Sequence, residues 1–183
     1  MIKEYFCRKL QIDRWSDVQS FVLLNYKKEI DNGNSAIPLS ITQNIILELE
    51  QLLKEDTYKI FNKNIKISHS ILFFSNPDWK QPIHVDTQSE YGLYTSLNLP
   101  IKNCNDSVMN WYHGEYEQSL VKLNSGITYN KITMTDDTVS HSECIDQPYI
   151  VRTNIPHSVR NYSKDYRVML VVRYVENIPL LEN

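Results

Sequence analysis

Glycine is scarce in this chain, at four residues among 183. A phosphate-cradling loop needs several glycines close together, so nucleotide-binding folds of that kind fall down the order of expectation. Cysteine occurs only at Cys7, Cys104 and Cys144. An odd, widely spaced set without CxxC pairing signals neither a disulfide framework nor a zinc knuckle, and a reducing, cytoplasmic setting is expected. A basic excess is also lacking: 19 Lys and Arg against 22 Asp and Glu leave a formal charge of −3 with no basic run. The electrostatic footprint of a nucleic-acid partner is therefore missing. No window approaches the roughly eighteen apolar residues of a membrane span, and "MIKEYFCRKL" lacks the apolar centre of a signal peptide. A soluble protein without a membrane partner is expected, acting on a small-molecule or peptide substrate.

What is present is an ordinary globular composition, 42% hydrophobic and 22% charged. At this length roughly 70% of the unfolded chain's surface can be buried without staples, so one domain over residues 1–183 is expected. Its oligomeric state is not legible. "YFCRKLQI" reads as a first strand. Ser16 with Gln19 forms a capping-box pattern ahead of a helix over about Asp17–Lys28, and Ser40 with Gln43 repeats it ahead of the apolar face Ile41, Ile45, Ile46, Leu49, Leu52 and Leu53. After about residue 56 the texture changes to short β-branched and aromatic runs: "YKIF", "IKISHSILFF", "IHVD", "LYTSLNLPI", "SVMNWY", "QSLVKL", "PYIVRT" and "YRVMLVVRY". A mainly β domain of sandwich or jelly-roll type follows, with a β core over about 57–175 and two N-terminal helices packed outside one sheet. The stretch 124–147 has weaker strand signals and is a candidate lid.

Chemistry is concentrated in two places. In "PIHVDTQ", His84 and Asp86 are two apart on a predicted strand and share a face. Such a pair can converge on one metal ion, or can be a satisfied histidine beside a solvated aspartate. In "NIPHSVRNYSKDYRVMLVVRY" the polar run Arg160–Lys164 reads as a hairpin connection centred on Tyr162, which sets His157 across from Arg167 on one face. His157 then offers a third ligand. Arg167 alternates with Met169 and Val171 on a face that looks buried, where a guanidinium without an anion is costly.

The order H-x-D, distal His and, ten residues on, Arg resembles the Fe(II)- and 2-oxoglutarate-dependent oxygenases, in particular the prolyl-hydroxylase-like small hydroxylases and their phage-type members. The resemblance covers roughly Ile65 to Tyr174. It implies a double-stranded β-helix in which His84, Asp86 and His157 bind iron and Arg167 binds the distal carboxylate of 2-oxoglutarate. It further implies a dioxygenase that uses O₂ to hydroxylate a small-molecule or peptidyl amino-acid substrate and releases succinate and CO₂. Asp86 argues against a halogenase, which replaces that carboxylate with a small residue. Many family members carry a serine two residues after the arginine; here Met169 stands there. A replacement hydroxyl would come from Ser96 or Tyr94, Ser96 matching the family's hydroxyl position. Tyr94, Ser96 and Asn98 share one face of "LYTSLNLPI" against Leu93, Thr95, Leu97 and Leu99, and alternation leaves open which face is inside.

Asn98, His113 and Arg160 are further candidates for the substrate pocket, and Trp79 for its rim. His69 reads as a half-buried strand histidine, His113 and His141 lack a partner at ligand spacing, and Arg173 reads as a strand-end residue. Two other classes remain: a cupin-like metal-dependent isomerase or lyase, although the clustered cupin histidine motif is absent, and a non-catalytic ligand-binding jelly roll.

Overall fold

A computed structural model describes residues 6–32, 39–86, 94–123 and 128–178. Three helices come early: α1 (Trp15–Asn25), α2 (Lys27–Asp31) and α3 (Gln43–Phe61). The first sheet is built from β1 (Cys7–Lys9), β2 (Leu39–Ser40), β3 (Ile67–Ser75), β5 (Thr95–Lys102), β10 (Tyr149–Arg152) and β12 (Arg167–Tyr174). Their order is β1-β10-β5-β12-β3-β2. The second sheet contains β4 (His84–Asp86), β6 (Ser107–Tyr112), β7 (Tyr116–Lys122), β8 (Thr128–Met134), β9 (Val139–Cys144) and β11 (His157–Asn161). Its order is β7-β8-β4-β11-β6-β9. All of these pairings are antiparallel, and successive strands from β3 to β6 and from β9 to β12 alternate between the sheets. That alternation is the double-stranded β-helix, or jelly roll.

The first sheet is covered on its outer face. α1 and α3 contribute Val18, Val22, Leu49 and Leu53, which pack with Leu72, Leu97, Leu99 and Leu170 of the sheet in one buried cluster. Because α-helical residues recur every 3.6 positions and strand residues every second one, one face of each element enters this core. The other face of β3, β5 and β12 is left for the interior between the sheets.

Several expectations are corrected here. Neither long helix has a side-chain cap: α1 starts after Arg14 and α3 after Thr42. Gln19 does not close a capping box; its amide and the Trp15 indole both donate to the Pro100 carbonyl, at 2.9 and 3.1 Å. That carbonyl lies beside an irregularity in the β5–β12 ladder, so tertiary anchoring of α1 outcompetes a local cap. Ser40 pairs as a strand residue with Ile71. "YKIF" is the last turn of α3, where Ile60 and Phe61 continue the apolar face into the core, and Asn62 ends the helix in the left-handed conformation at φ 53°. The candidate lid is a pair of ladder strands: β8 pairs with β4 and β7, and β9 with β6. Residues 124–127 of that stretch, like Leu93, lie outside the described residues.

The predicted hairpin between His157 and Arg167 is not one either. β11 pairs with β4 and β6, whereas β12 pairs with β3 and β5 in the other sheet. Asn161 supplies the reason. Its buried side-chain amide donates to Ser75, Asn76 and Asp165 carbonyls at 2.9–3.1 Å, and its oxygen accepts from Ser163 N–H. Those four bonds turn the chain from one sheet to the other in place of a ladder.

Candidate functional site

β4 is short, but it places His84 and Asp86 on one face, as alternation requires. β11 lies beside it in register, His157 opposite His84. The two imidazoles pack with ring centroids 4.2 Å apart, and His84 Nε2 lies 3.6 Å from Asp86 Oδ1. The donor atoms of His84, Asp86 and His157 all lie within 4.8 Å of one another.

The ring tautomers are set by the backbone. His84 Nδ1 donates to the Pro82 carbonyl at 2.9 Å and His157 Nδ1 to the Ile155 carbonyl at 2.8 Å. Each ring therefore turns an unprotonated Nε2 towards the centre, and the Gln81 amide donates to that of His84 at 3.2 Å. Burial holds both rings neutral: it pushes His84 below the ordinary histidine value and, with His84 as neighbour, pushes His157 down to about 3. Metal binding needs imidazole in that neutral form. Two histidines and one carboxylate on adjacent strands, each fixed by an outer hydrogen bond, fit a divalent metal ion.

Asp86 is held by a residue that sequence reasoning assigned to a strand end. Arg173 is buried at 4% exposure, and its guanidinium pairs with Asp86 Oδ2 while also donating to Thr153 Oγ1 at 2.9 Å and the Thr95 carbonyl at 3.1 Å. Burial alone would push the Asp86 carboxyl up, but the charge and hydrogen bond of Arg173 lead the interactions that outweigh it and keep the group below its usual value. The carboxylate is thus ionised, with one oxygen on Arg173 and the other facing His84. The available signal was parity, since Arg173 shares the alternating face of Arg167, Met169 and Val171.

These groups open onto a cavity of about 390 Å³ between the sheets, within the usual range for small-molecule sites. Arg167, Ser96, Asn98 and Trp79 also line it, together with His69. Arg167 is buried at 4% exposure, its Nε has no hydrogen-bond partner, and among the described residues no carboxylate pairs with it. Burial pushes this guanidinium below its ordinary value, opposed only by the Cys104 and Cys144 sulfurs. The polar face of β5 is the inner one: Ser96 and Asn98 are buried on the cavity wall, with Ser96 Oγ donating to Asn98 Oδ1 at 2.9 Å.

Three expected pocket residues are elsewhere. Tyr94 is exposed at the start of β5, because the chain has not yet entered the ladder there. His113 is exposed just past β6 and lies against Phe6 rather than in the cavity. Arg160 points outward from β11 over the Tyr162 ring, being of opposite parity to His157.

No protein-family model matches the chain, and no curated protein sequence does. Among solved structures, oxalate decarboxylase from Bacillus subtilis matches over 66% of this chain at 12% identity and a TM-score of 0.35. This chain spans 24% of the length of that protein. A cupin domain from Bordetella pertussis Tohama I matches over 78% of this chain and 95% of its own, at 10% identity and a TM-score of 0.36. Likenesses of this size carry no argument about chemistry. No helix among the described residues is long and apolar enough to cross a membrane.

Proposed function

We propose that the protein is a non-haem iron, 2-oxoglutarate-dependent dioxygenase. The observation that carries this reading is the buried guanidinium of Arg167, without a carboxylate partner among the described residues, in the same cavity as two neutral histidines and an ionised aspartate. A buried charge of this kind costs several kcal/mol unless an anion meets it, and a planar guanidinium favours a carboxylate taken through two hydrogen bonds. Iron(II) with 2-oxoglutarate and O₂ supplies the oxidising power to hydroxylate an unactivated carbon, with succinate and CO₂ as products.

The chain's own residues then divide the work. His84 and His157 would bind the ion through the nitrogens their backbone hydrogen bonds leave unprotonated, and Asp86 through the oxygen that Arg173 does not hold. Arg167 would take the far carboxylate of the cosubstrate. The ladder sets Asn98 against Val171 and Leu97 against Val172, so Ser96 lies at the Arg173 end of the cavity and not beside Arg167. The hydroxyl expected of it in place of Met169 does not reach that carboxylate. Ile71, Phe73 and Val171 give the cavity an apolar wall that restricts water. The remaining space would receive a small-molecule or peptidyl amino-acid substrate.

The test is anaerobic titration of the metal-free protein with Fe(II) and then 2-oxoglutarate. A visible metal-to-ligand charge-transfer band, followed by succinate release on admitting air, is expected. No band and no succinate would overturn the reading. A second reading is a cupin-like metal-dependent isomerase or lyase, which the jelly roll and the three metal donors serve equally. It predicts metal binding with no response to 2-oxoglutarate and leaves Arg167 without a ligand. A non-catalytic jelly roll would bind neither.

A further inference from the structure

We propose that Cys7, His141 and Glu143 form a second metal site, for a thiolate-binding divalent cation of the zinc class, that clips the two sheets together at one edge of the sandwich. β1 is the end strand of the first sheet and β9 the end strand of the second. Cys7 comes from β1, fixed there by its pairing with Val151 of β10. His141 and Glu143 are two apart on β9, the same His-x-carboxylate spacing as His84 and Asp86, so they too share a face. The lack of a partner for His141 in the linear sequence is thereby corrected: its partners are Glu143 and a cysteine far away in sequence.

Distances support a shared ion. His141 Nε2 lies 4.0 Å from Cys7 Sγ and 3.7 Å from Glu143 Oε2, and all three donor atoms lie within 4.8 Å of one another. Ligand atoms around a tetrahedral zinc sit about 3.3–3.6 Å apart, given bonds of roughly 2.0–2.3 Å. The two His141 separations therefore close with shifts of a few tenths of an ångström, and the Cys7–Glu143 separation, within 4.8 Å, with no more than about 1.3 Å.

The same geometry separates this reading from a nucleophilic cysteine. A Cys–His–Glu relay needs the thiol on one ring nitrogen and the carboxylate on the other. Here both face the same nitrogen, Nε2, which is how ligands converge on a point between them. The surroundings hold the donors in place: Tyr149 donates its hydroxyl to the other Glu143 oxygen, Oε1, at 2.7 Å, and Phe6 stacks on the His141 ring with centroids 5.1 Å apart and planes at 9°. Such outer contacts orient metal ligands. Cys7 is buried, whereas the His141 and Glu143 side chains keep 20% and 16% exposure, which leaves the fourth position to a water. Sulfur, nitrogen and oxygen donors together select zinc-like ions over magnesium or calcium.

This proposal is independent of the one above, because the His84 site has no sulfur and the readouts differ. The full chain, reduced and metal-free, is titrated with Co(II) as a spectroscopic stand-in for zinc. A near-ultraviolet thiolate-to-cobalt band is expected in the wild type and in His84→Ala, and lost in Cys7→Ser and His141→Gln. Added Zn(II) should raise the melting temperature of the wild type by several degrees, and that of His141→Gln hardly at all. Absence of a thiolate band in the wild type overturns the proposal. A band that persists in Cys7→Ser traces the sulfur to Cys104 or Cys144 and overturns it too, and so does a band lost in His84→Ala. Should Cys7→Ser fail to fold, His141→Gln decides alone, since its ring is partly exposed: loss of the band supports the site and persistence overturns it.

Discussion

Arg167 and Arg173 sit six residues apart on one strand, face the same cavity and have opposite circumstances. Arg173 meets a carboxylate, so its burial is offset by Asp86 and by two further hydrogen bonds. Arg167 meets none among the described residues. In the ligand-free protein it is therefore a cost, and replacing it with an apolar side chain of similar length should relieve that cost. Arg167→Met is expected to raise the stability of the metal-free, ligand-free protein by about 1–3 kcal/mol in denaturant titration. The same change should weaken 2-oxoglutarate by at least roughly 30-fold, the effect of losing a buried charge contact of about 2 kcal/mol or more, while leaving iron affinity nearly unchanged. A variant that is destabilised and still binds 2-oxoglutarate normally would refute the anion-clamp role.

At the level of elements, the pairing of β4 with β11 is what buries the two histidines against each other. Both are pushed below the ordinary histidine value by that burial, His157 to about 3. The unfolded chain titrates its histidines near 6.5, so as pH falls the unfolded state takes up these protons first. Stability is full above about pH 6.5 and drops as pH falls from there towards 3, where the folded protein begins to accept the proton as well. Asp86 adds a loss of its own only below about pH 4, where the unfolded carboxylate begins to take up a proton that the depressed folded group does not. Denaturation of the metal-free protein should show a loss of about 1–3 kcal/mol between roughly pH 6.5 and 5. His157→Asn should flatten that slope; an unchanged slope would mean that the imidazoles are not held neutral. Alternation along β4, β5 and β12 could be read from the sequence, and it placed His84 with Asp86, Ser96 with Asn98, and Arg167 with Arg173. The partner of each strand could not be read, because Asn161 breaks the chain out of one sheet through bonds to Ser75 and Asn76, far upstream.

Over the whole molecule, the outer face of the first sheet carries apolar packing against the helices, while the inner face divides between a second apolar cluster with Val151 and Met169 and the cavity. Leu49 and Leu53 of α3 pack with Leu72, Leu97 and Leu99 on the outer face, while Ser96, Asn98 and Arg167 of that sheet line the cavity on the inner one. A change confined to the outer core should therefore lower stability without touching the site. Leu49→Ala, at a side chain with no exposure, is expected to cost about 2–5 kcal/mol in denaturant titration. Metal affinity and 2-oxoglutarate affinity, measured below the new unfolding transition, should stay within about threefold of wild type, well under the tenfold change that 1.4 kcal/mol would give. A large loss of affinity would show that the outer core also sets the cavity's shape.

The sequence by itself determined which side chains share a face along each strand, and so which pairs could act together: the strand period of two is local and needs no partner. It also determined the mainly β class, from β-branched runs separated by polar punctuation. Only the tertiary structure decided which face is inside, because α1 and α3 cover the apolar face of β5 and leave the polar one to the cavity. It alone put His157 and Arg167 in different sheets around one space, joined Arg173 to Asp86, and brought Cys7 to His141 and Glu143. Each of those contacts joins residues remote in sequence, and their proximity follows from sheet order, which no local pattern encodes.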